Sequence, residues 1–214
     1  MIKKVHSYKG EGIDVTWDKM RCLHVAECIL GLRSVFDPSK TPWVQPNNES
    51  VNQVSSVIHH CPTGALQYTR TDGGPAERPD NQNTVRVAAD GPIYVRGDVA
   101  LAVGGETIKE TRLALCRCGH SANKPYCDSS HSRVGFEDDG RGTQKVVADA
   151  IPSGKITVQP RANGSILFEG PVEIQSSDGR ILYRGEKVSL CRCGASQTKP
   201  FCDGSHKTSG FEAE

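Results

Sequence analysis

The chain has 214 residues, 36% of them hydrophobic, and 26 Lys and Arg against 25 Asp and Glu give a net charge of +1. No apolar run approaches the roughly 18 residues of a membrane-spanning helix, and the near-neutral charge with only 6% aromatic residues argues against a nucleic-acid module. Leu, Ile, Val and Phe make up about a fifth of the chain, just above the level where disorder sets in, so the thin core calls for a cross-link, which nine cysteines could provide.

The stretch from Met1 to Ser7 has no apolar h-region, so no secretory leader is expected. Nine cysteines is an odd number, which leaves one over from any internal disulfide set. A reducing, cytoplasmic setting is therefore expected, where clustered cysteines bind metal or do redox chemistry.

The segment 1–70 reads as a unit of its own. Cys22-Leu23-His24-Val25-Ala26-Glu27-Cys28 is a C-x5-C run. Val51, Val54, Val57 and Ile58 fall at helical spacing, which predicts a helix that stops before Pro62. Cys61-Pro62-Thr63-Gly64-Ala65-Leu66 follows it. His59 and His60 stand at the helix end, where imidazoles meet carbonyls. Trp17, Trp43 and Phe36 read as core or as shielding for a bound group.

Residues 71–83 read as a linker, rich in Gly and Pro and without periodicity. Beyond it lies an internal repeat. Leu115-Cys116-Arg117-Cys118-Gly119 returns as Leu190-Cys191-Arg192-Cys193-Gly194, 75 residues later. The same offset maps Lys124-Pro125-Tyr126-Cys127-Asp128 onto Lys199-Pro200-Phe201-Cys202-Asp203, His131 onto His206, and Gly135-Phe136 onto Gly210-Phe211. Two copies are too few for a solenoid, so 84–150 and 151–214 are expected to form a pseudo-twofold pair. Each copy opens with short alternating runs: Val85, Val87 and Ile93, Val95, Val99, Leu101 in the first; Ile156, Val158 and Ile166, Phe168, Val172, Ile174 in the second. Gly, Asp-Gly and Asn-Gly punctuate them as hairpins require. The cysteine-rich ends should be loop plus a short helix.

Both copies carry C-x-C-x8-C-x3-H. Two cysteines two apart on an extended segment point the same way. A Cys and a His four apart on a helix share a face. Cys116 and Cys118 thus form one jaw and Cys127 and His131 the other; Cys191 and Cys193 face Cys202 and His206 in the second copy. Two ligands on each side suit a dinuclear [2Fe–2S] cluster, and equally a single tetrahedral zinc. Lys109 to Gly135 and Arg184 to Lys207 each hold five basic and two acidic residues, a balance that suits a buried anion or an acidic partner as well as a solvated face. His120 is matched by Ala195 and is not expected to be a ligand. Asp128 and Asp203 would stand at a helix start, in a structural role.

Both copies resemble the CDGSH iron–sulfur domain, the mitoNEET-like family, whose motif runs C-x-C-x2-(S/T)-x3-P-x-C-D-G-(S/A/T)-H. The second copy matches at Cys191, Cys193, Ser196, Pro200, Cys202, Asp203, Gly204, Ser205 and His206; the first departs at Ser129, where the family has Gly. A serine is tolerated there unless the position needs positive φ. The resemblance implies a [2Fe–2S] cluster in each copy, held by three Cys and one His, with Ser121, Lys124, Ser196 and Lys199 as motif residues near it. It also implies that the tandem copies mimic a homodimer within one chain. The segment 1–70 resembles a divergent single-cluster ferredoxin domain, with Val25 where a middle cysteine would stand. That implies a [3Fe–4S] cluster on Cys22, Cys28 and Cys61, or a [4Fe–4S] cluster with His24 as fourth ligand.

The expected fold is α+β, a small ferredoxin-like domain followed by two β-rich cluster domains. The expected function is electron transfer, with redox partner proteins, or apo-cluster acceptors if the chain instead stores or transfers clusters or senses redox state or pH. A zinc module is the bland alternative. No enzymatic constellation stands out, and neither nucleic acid nor a membrane is an expected partner; the chain is expected to be a monomer.

Overall fold

The computed structural model describes residues 5–145 and 147–213. Residues 1–4, where part of the leader reading falls, lie outside the described residues. The chain divides into two compact units, Met1–Arg78 and Pro79–Glu214. Among the described residues no helix is long and apolar enough to cross a membrane. Helices are few and short, and most of the regular structure is strand.

In the first unit, β1 (Val5–Tyr8), β2 (Ile13–Asp18) and β3 (Leu66–Arg70) make an antiparallel sheet in that order. Strand side chains alternate between faces, and Ile13 and Val15 of β2 are fully buried on one of them. Trp17, next on that face, lies opposite Leu66. A short helix, α1 (Glu27–Gly31), follows the loop that carries Cys22. The helix expected from the valine spacing is α2 (Val51–His59). Ser50 starts it, its Oγ accepting the Gln53 amide at 3.4 Å, an N-cap. Val54 and Ile58 of α2 join Ile13, Val15, Phe36, Val44 and Leu66 in one core, each full burial contributing roughly 1.5–3 kcal/mol. The helix ends just before Cys61, so α2 and β3 together place that cysteine at the edge of the core.

The second unit is one sheet of six strands: β4 (Thr84–Val87), β5 (Ile93–Val103), β6 (Glu106–Leu115), β7 (Ile156–Pro160), β8 (Ile166–Gln175) and β9 (Ile181–Leu190). A helical turn, α3 (Ser130–Arg133), follows the first cysteine loop, and a 3-10 turn, Ser205–Lys207, follows the second. The first half of β5 pairs antiparallel with β4, Ile93 opposite Val87. After a register shift between Arg96 and Val99 its second half pairs parallel with β7, Val99 opposite Ile156. β8 does the same in reverse: Phe168 opposes Val158 of β7, and beyond a shift between Glu169 and Val172, Ile174 opposes Val85 of β4 in parallel. Each copy's first strand therefore bridges to the other copy. Few as they are, the apolar residues converge, and all the alternating positions named from the sequence sit in one continuous core.

Pro79 to Asn83, read from sequence as the end of a linker, packs within the second unit. Asn83 is 2% exposed. Its Nδ2 donates to the carbonyls of Gly154 (2.6 Å) and Pro171 (2.8 Å), and its Oδ1 accepts the Asp98 amide at 2.9 Å. A polar composition concealed this because the side chain is buried with its hydrogen bonds satisfied.

Candidate metal centres

In the second unit each cysteine loop is tied back to the strand that precedes it. The Cys116 amide donates to the Pro125 carbonyl (2.9 Å) and the Cys127 amide to the Ala114 carbonyl (2.9 Å), with Leu115 and Tyr126 bridged between them. The second copy repeats this through Cys191 to Pro200 (2.8 Å), Cys202 to Ser189 (3.0 Å) and the Leu190–Phe201 bridge. A short ladder of backbone bonds thus sets the two jaws face to face.

Within each jaw the donors are spaced like neighbouring ligands of one metal. The sulfurs of Cys116 and Cys118 are 3.7 Å apart, those of Cys191 and Cys193 3.8 Å. Cys127 Sγ lies 3.4 Å from His131 Nδ1, and Cys202 Sγ 3.4 Å from His206 Nδ1. With metal–sulfur bonds of about 2.3 Å and metal–nitrogen bonds of about 2.0–2.1 Å, a tetrahedral centre puts two sulfurs roughly 3.8 Å apart and a sulfur and a nitrogen roughly 3.6 Å apart. The donor set fits a metal group at both sites.

The electrostatics call for positive charge. One hydrogen bond shared between the Cys116 and Cys118 sulfurs holds the Cys116 thiol below its ordinary range and pushes Cys118 above its own. Burial pushes Cys127 and Cys191 up to about 11. Buried thiolates that repel one another favour a cation between them. Backbone amides supply part of it: Ser129 donates to Cys127 Sγ at 3.4 Å, Ser121 and Gly119 to Cys116, and Ser196 and Gly194 to Cys191.

The remaining motif residues shape the loops. The Ser121 hydroxyl donates to the Tyr126 carbonyl (2.7 Å) and Ser196 to that of Phe201 (2.7 Å), so their link to the sulfurs runs through their amides. Lys124 Nζ donates to the Ser121 carbonyl (2.8 Å) and Lys199 Nζ to that of Ser196 (2.6 Å). Asp128 accepts the amides of Ala122 (2.8 Å) and Ser130 (3.0 Å); Asp203 accepts those of Gln197 (2.8 Å) and Ser205 (2.9 Å). Each aspartate ties the intervening loop to the second jaw, a structural role.

Sequence reasoning passed over the arginine inside each C-x-C. Arg117 and Arg192 are both 1% exposed. Arg117 pairs with Asp138, donates to the carbonyls of Gly91 (3.0 Å) and Ala88 (2.6 Å), and lies over the Phe136 ring. Arg192 donates to the Arg161 carbonyl (3.1 Å) and lies over Phe211. The repeated Gly-Phe pair, noted in the sequence without a role, is the arginine's stacking partner. The copies also touch. Gly119 and Gly194, at φ 84° and 81°, pack against the backbone of Cys193 and Cys118.

In the first unit, Cys22, Cys28 and Cys61 line a cavity of about 590 Å³ together with His24, Trp17 and Trp43. Burial, with the neighbouring Cys61 and Cys22, pushes the Cys28 thiol up to about 11. The Leu66 amide donates to Cys61 Sγ at 3.5 Å. His24 Nδ1 lies 3.9 Å from Cys22 Sγ, on a loop that turns through left-handed His24 (φ 55°) and Ala26 (φ 65°). Val25, in the place of a middle cysteine, is 41% exposed. His59 is taken up by the Tyr68 hydroxyl, 2.9 Å from its Nε2. Three sulfurs and an imidazole around one cavity fit an iron–sulfur group.

Comparison with known proteins agrees with this layout. Residues 8–71 match the family described as a divergent 4Fe-4S mono-cluster. Residues 90–132 and 163–207 match the iron-binding zinc finger CDGSH type. Over 61 residues the chain is 39% identical to the uncharacterized protein YjdI of Escherichia coli K12, and equally to its counterpart in Escherichia coli O157:H7, an overlap of 28% of this chain and 80% of theirs. No solved structure matches the chain.

Proposed function

We propose that this chain, which belongs to the CDGSH-type iron-binding family over residues 90–132 and 163–207 and to the divergent 4Fe-4S mono-cluster family over residues 8–71, is an electron carrier rather than a catalyst. The observation that carries the reading is the paired jaw: two sulfurs 3.7 Å apart facing a sulfur and an imidazole nitrogen 3.4 Å apart, repeated in the second copy. Each pair is spaced for a tetrahedral metal, a spacing that one zinc and two irons both meet, and the match to the iron-binding CDGSH type is what supports iron.

Bound there, a [2Fe–2S] cluster supplies a one-electron couple. Cys116, Cys118 and Cys127 contribute three negative charges where an all-cysteine site contributes four, and His131 contributes none. The lower charge eases the addition of an electron, so the potential lies above that of plant-type ferredoxins, the direction two histidines give in Rieske centres. In the second copy Cys191, Cys193, Cys202 and His206 play the same part. The exchanged pairings of β4 and β7 support a pseudo-twofold pair that stands in for a homodimer within a monomeric chain. In the first unit Cys22, Cys28 and Cys61 hold a [3Fe–4S] cluster, or a [4Fe–4S] cluster with His24. Donor and acceptor are other redox proteins.

A second reading, cluster transfer to an apo-protein, is favoured by one observation: Cys193 and Cys202 are half-exposed where Cys118 and Cys127 are buried. One experiment separates the two. Dithionite followed by air should reduce and restore the visible spectrum with all iron retained if the chain is a carrier; rapid passage of iron and sulfide to an apo-ferredoxin points to transfer.

A further inference from the structure

The indole of Trp17 has no acceptor of its own. Its Nε1 is buried and, among the described residues, makes no hydrogen bond. Leaving such a donor unmet costs about 1–3 kcal/mol, and a buried orphan in a folded protein asks for a missing partner such as an ion or water. Trp17 lines the cavity that holds Cys22, Cys28 and Cys61. It lies opposite Leu66, whose own amide already donates to Cys61 Sγ at 3.5 Å. The ring is held by Trp43, packed edge-on with centroids 5.0 Å apart at 74°, so its donor cannot turn to another acceptor without repacking both indoles. The Trp43 nitrogen is buried and without a hydrogen bond too, but the Tyr8 phenol, whose ring packs edge-on against Trp43 at 6.3 Å, is a neighbour it interacts with. Trp17 lines the cavity of the three sulfurs with its donor unmet.

We infer that the Trp17 indole N–H is a hydrogen-bond donor to sulfur of the cluster held by Cys22, Cys28 and Cys61, and that this bond raises the cluster's potential. The inference rests on the reading of that cavity as an iron–sulfur site. The reduced cluster carries more negative charge on its sulfurs, so a fixed N–H there stabilises the reduced form more than the oxidised one. Trp17 touches the cluster through one proton and leaves its ligation to the cysteines.

The chain has two tryptophans, which makes the test specific. Full-length protein is labelled with 15N in its indoles, and pulsed electron paramagnetic resonance is recorded on the paramagnetic N-terminal cluster. A 15N coupling is expected in the unsubstituted chain, retained in Trp43→Phe and lost in Trp17→Phe. Trp17→Phe keeps an aromatic ring, and its ratio of reduced to oxidised cluster should be about tenfold lower at the potential where the unsubstituted one is half reduced, a fall of ~59 mV for a one-electron couple. Loaded protein without the 15N coupling, or Trp17→Phe with an unchanged potential, overturns the inference while leaving the cluster reading intact. The labelled Trp43→Phe chain, whose one remaining indole is Trp17, decides the matter even if Trp17→Phe fails to fold. Absence of any three- or four-iron signal and of the corresponding iron overturns the cluster reading, and the inference with it.

Discussion

A methyl group on Gly119 would fall 2.6 Å from the carbonyl oxygen of Cys193, and one on Gly194 would fall 2.7 Å from that of Cys118. Each copy's second cysteine is thus braced by the glycine that follows its counterpart. Burial holds the Arg192 guanidinium below its ordinary range, and the Cys116 thiolate of the other copy opposes that shift, a second sign that the two sites share one scaffold. Ligands in one copy are positioned partly by the other.

Gly119→Ala should therefore damage the second site as well as its own. A left-handed residue other than glycine costs roughly 1–2 kcal/mol, and Gly135→Ala gives that cost alone, because Gly135 is left-handed (φ 63°) with nothing within 4 Å of its would-be side chain. Gly119→Ala should cost more than Gly135→Ala in denaturant melts and should lower iron content at both sites. Equal losses in the two variants would show that the cross-copy contact carries no strain.

Ser129 is the residue where the first copy departs from the family motif, and its φ is 67°, against 91° at Gly204. The position does need the left-handed region, so the serine is strained there. Ser129→Gly should stabilise the loaded first site by about 1 kcal/mol, and Gly204→Ser should weaken the second by a similar amount. Rates of colour loss under denaturant measure both.

Much of the site could be read from spacing, because metal ligation demands fixed residue types at fixed intervals. Cys116 with Cys118 and Cys127 with His131 come together in pairs, as do their counterparts in the second copy, and α2 follows the valine period. Other features leave no local trace. Val85 and Val87 announce a strand with one buried face, but not that Val85 would lie parallel to Ile174 of the other copy, since alternation encodes a face and not a neighbour. Arg117 and Arg192 entered the sequence reading only within a basic balance, since arginine is mostly exposed and gives no local sign of burial; only their repetition inside both C-x-C pairs, with Gly-Phe at the same offset, could have marked them as internal clasps. Asn83 went unmarked because its partners, Gly154 and Pro171, are distant in sequence.

Acid should release the clusters through their histidines. Burial lowers His131 from its ordinary value; nearby Asp128 opposes this and Arg117 adds to it. A free imidazole takes its proton below about pH 6.5, so between that pH and the lowered value the unfolded chain binds a proton that the folded site does not. Stability contributed by the neutral ring is full above about pH 6.5 and is lost as pH falls through the lowered value. The proton also competes with iron for Nδ1. The visible band should hold at neutral pH and bleach progressively below about 6.5. Replacing both ligands, His131→Cys with His206→Cys, should remove that onset and lower the potential. A band independent of pH between about 5 and 8 contradicts the account.

The second site should let go first. Cys193 and Cys202 are half-exposed, whereas Cys116, Cys118 and Cys127 are buried, and access to the thiolate governs its exchange with a chelator. Cys127→Ser leaves the second site and Cys202→Ser leaves the first. Under the same chelator Cys127→Ser should bleach several-fold faster. The opposite order would show that the first loop opens more readily despite its burial.

All three sites are expected to bind iron with inorganic sulfide. Iron and acid-labile sulfide analysis of anaerobically purified full-length protein, joined to electron paramagnetic resonance of the reduced and oxidised forms, tests it most directly. Red-brown protein is expected, with about four iron and four sulfide in the paired sites, a reduced [2Fe–2S] signal, and a separate three- or four-iron signal. Colourless, well-folded protein with one zinc at each paired site and no labile sulfide would contradict it.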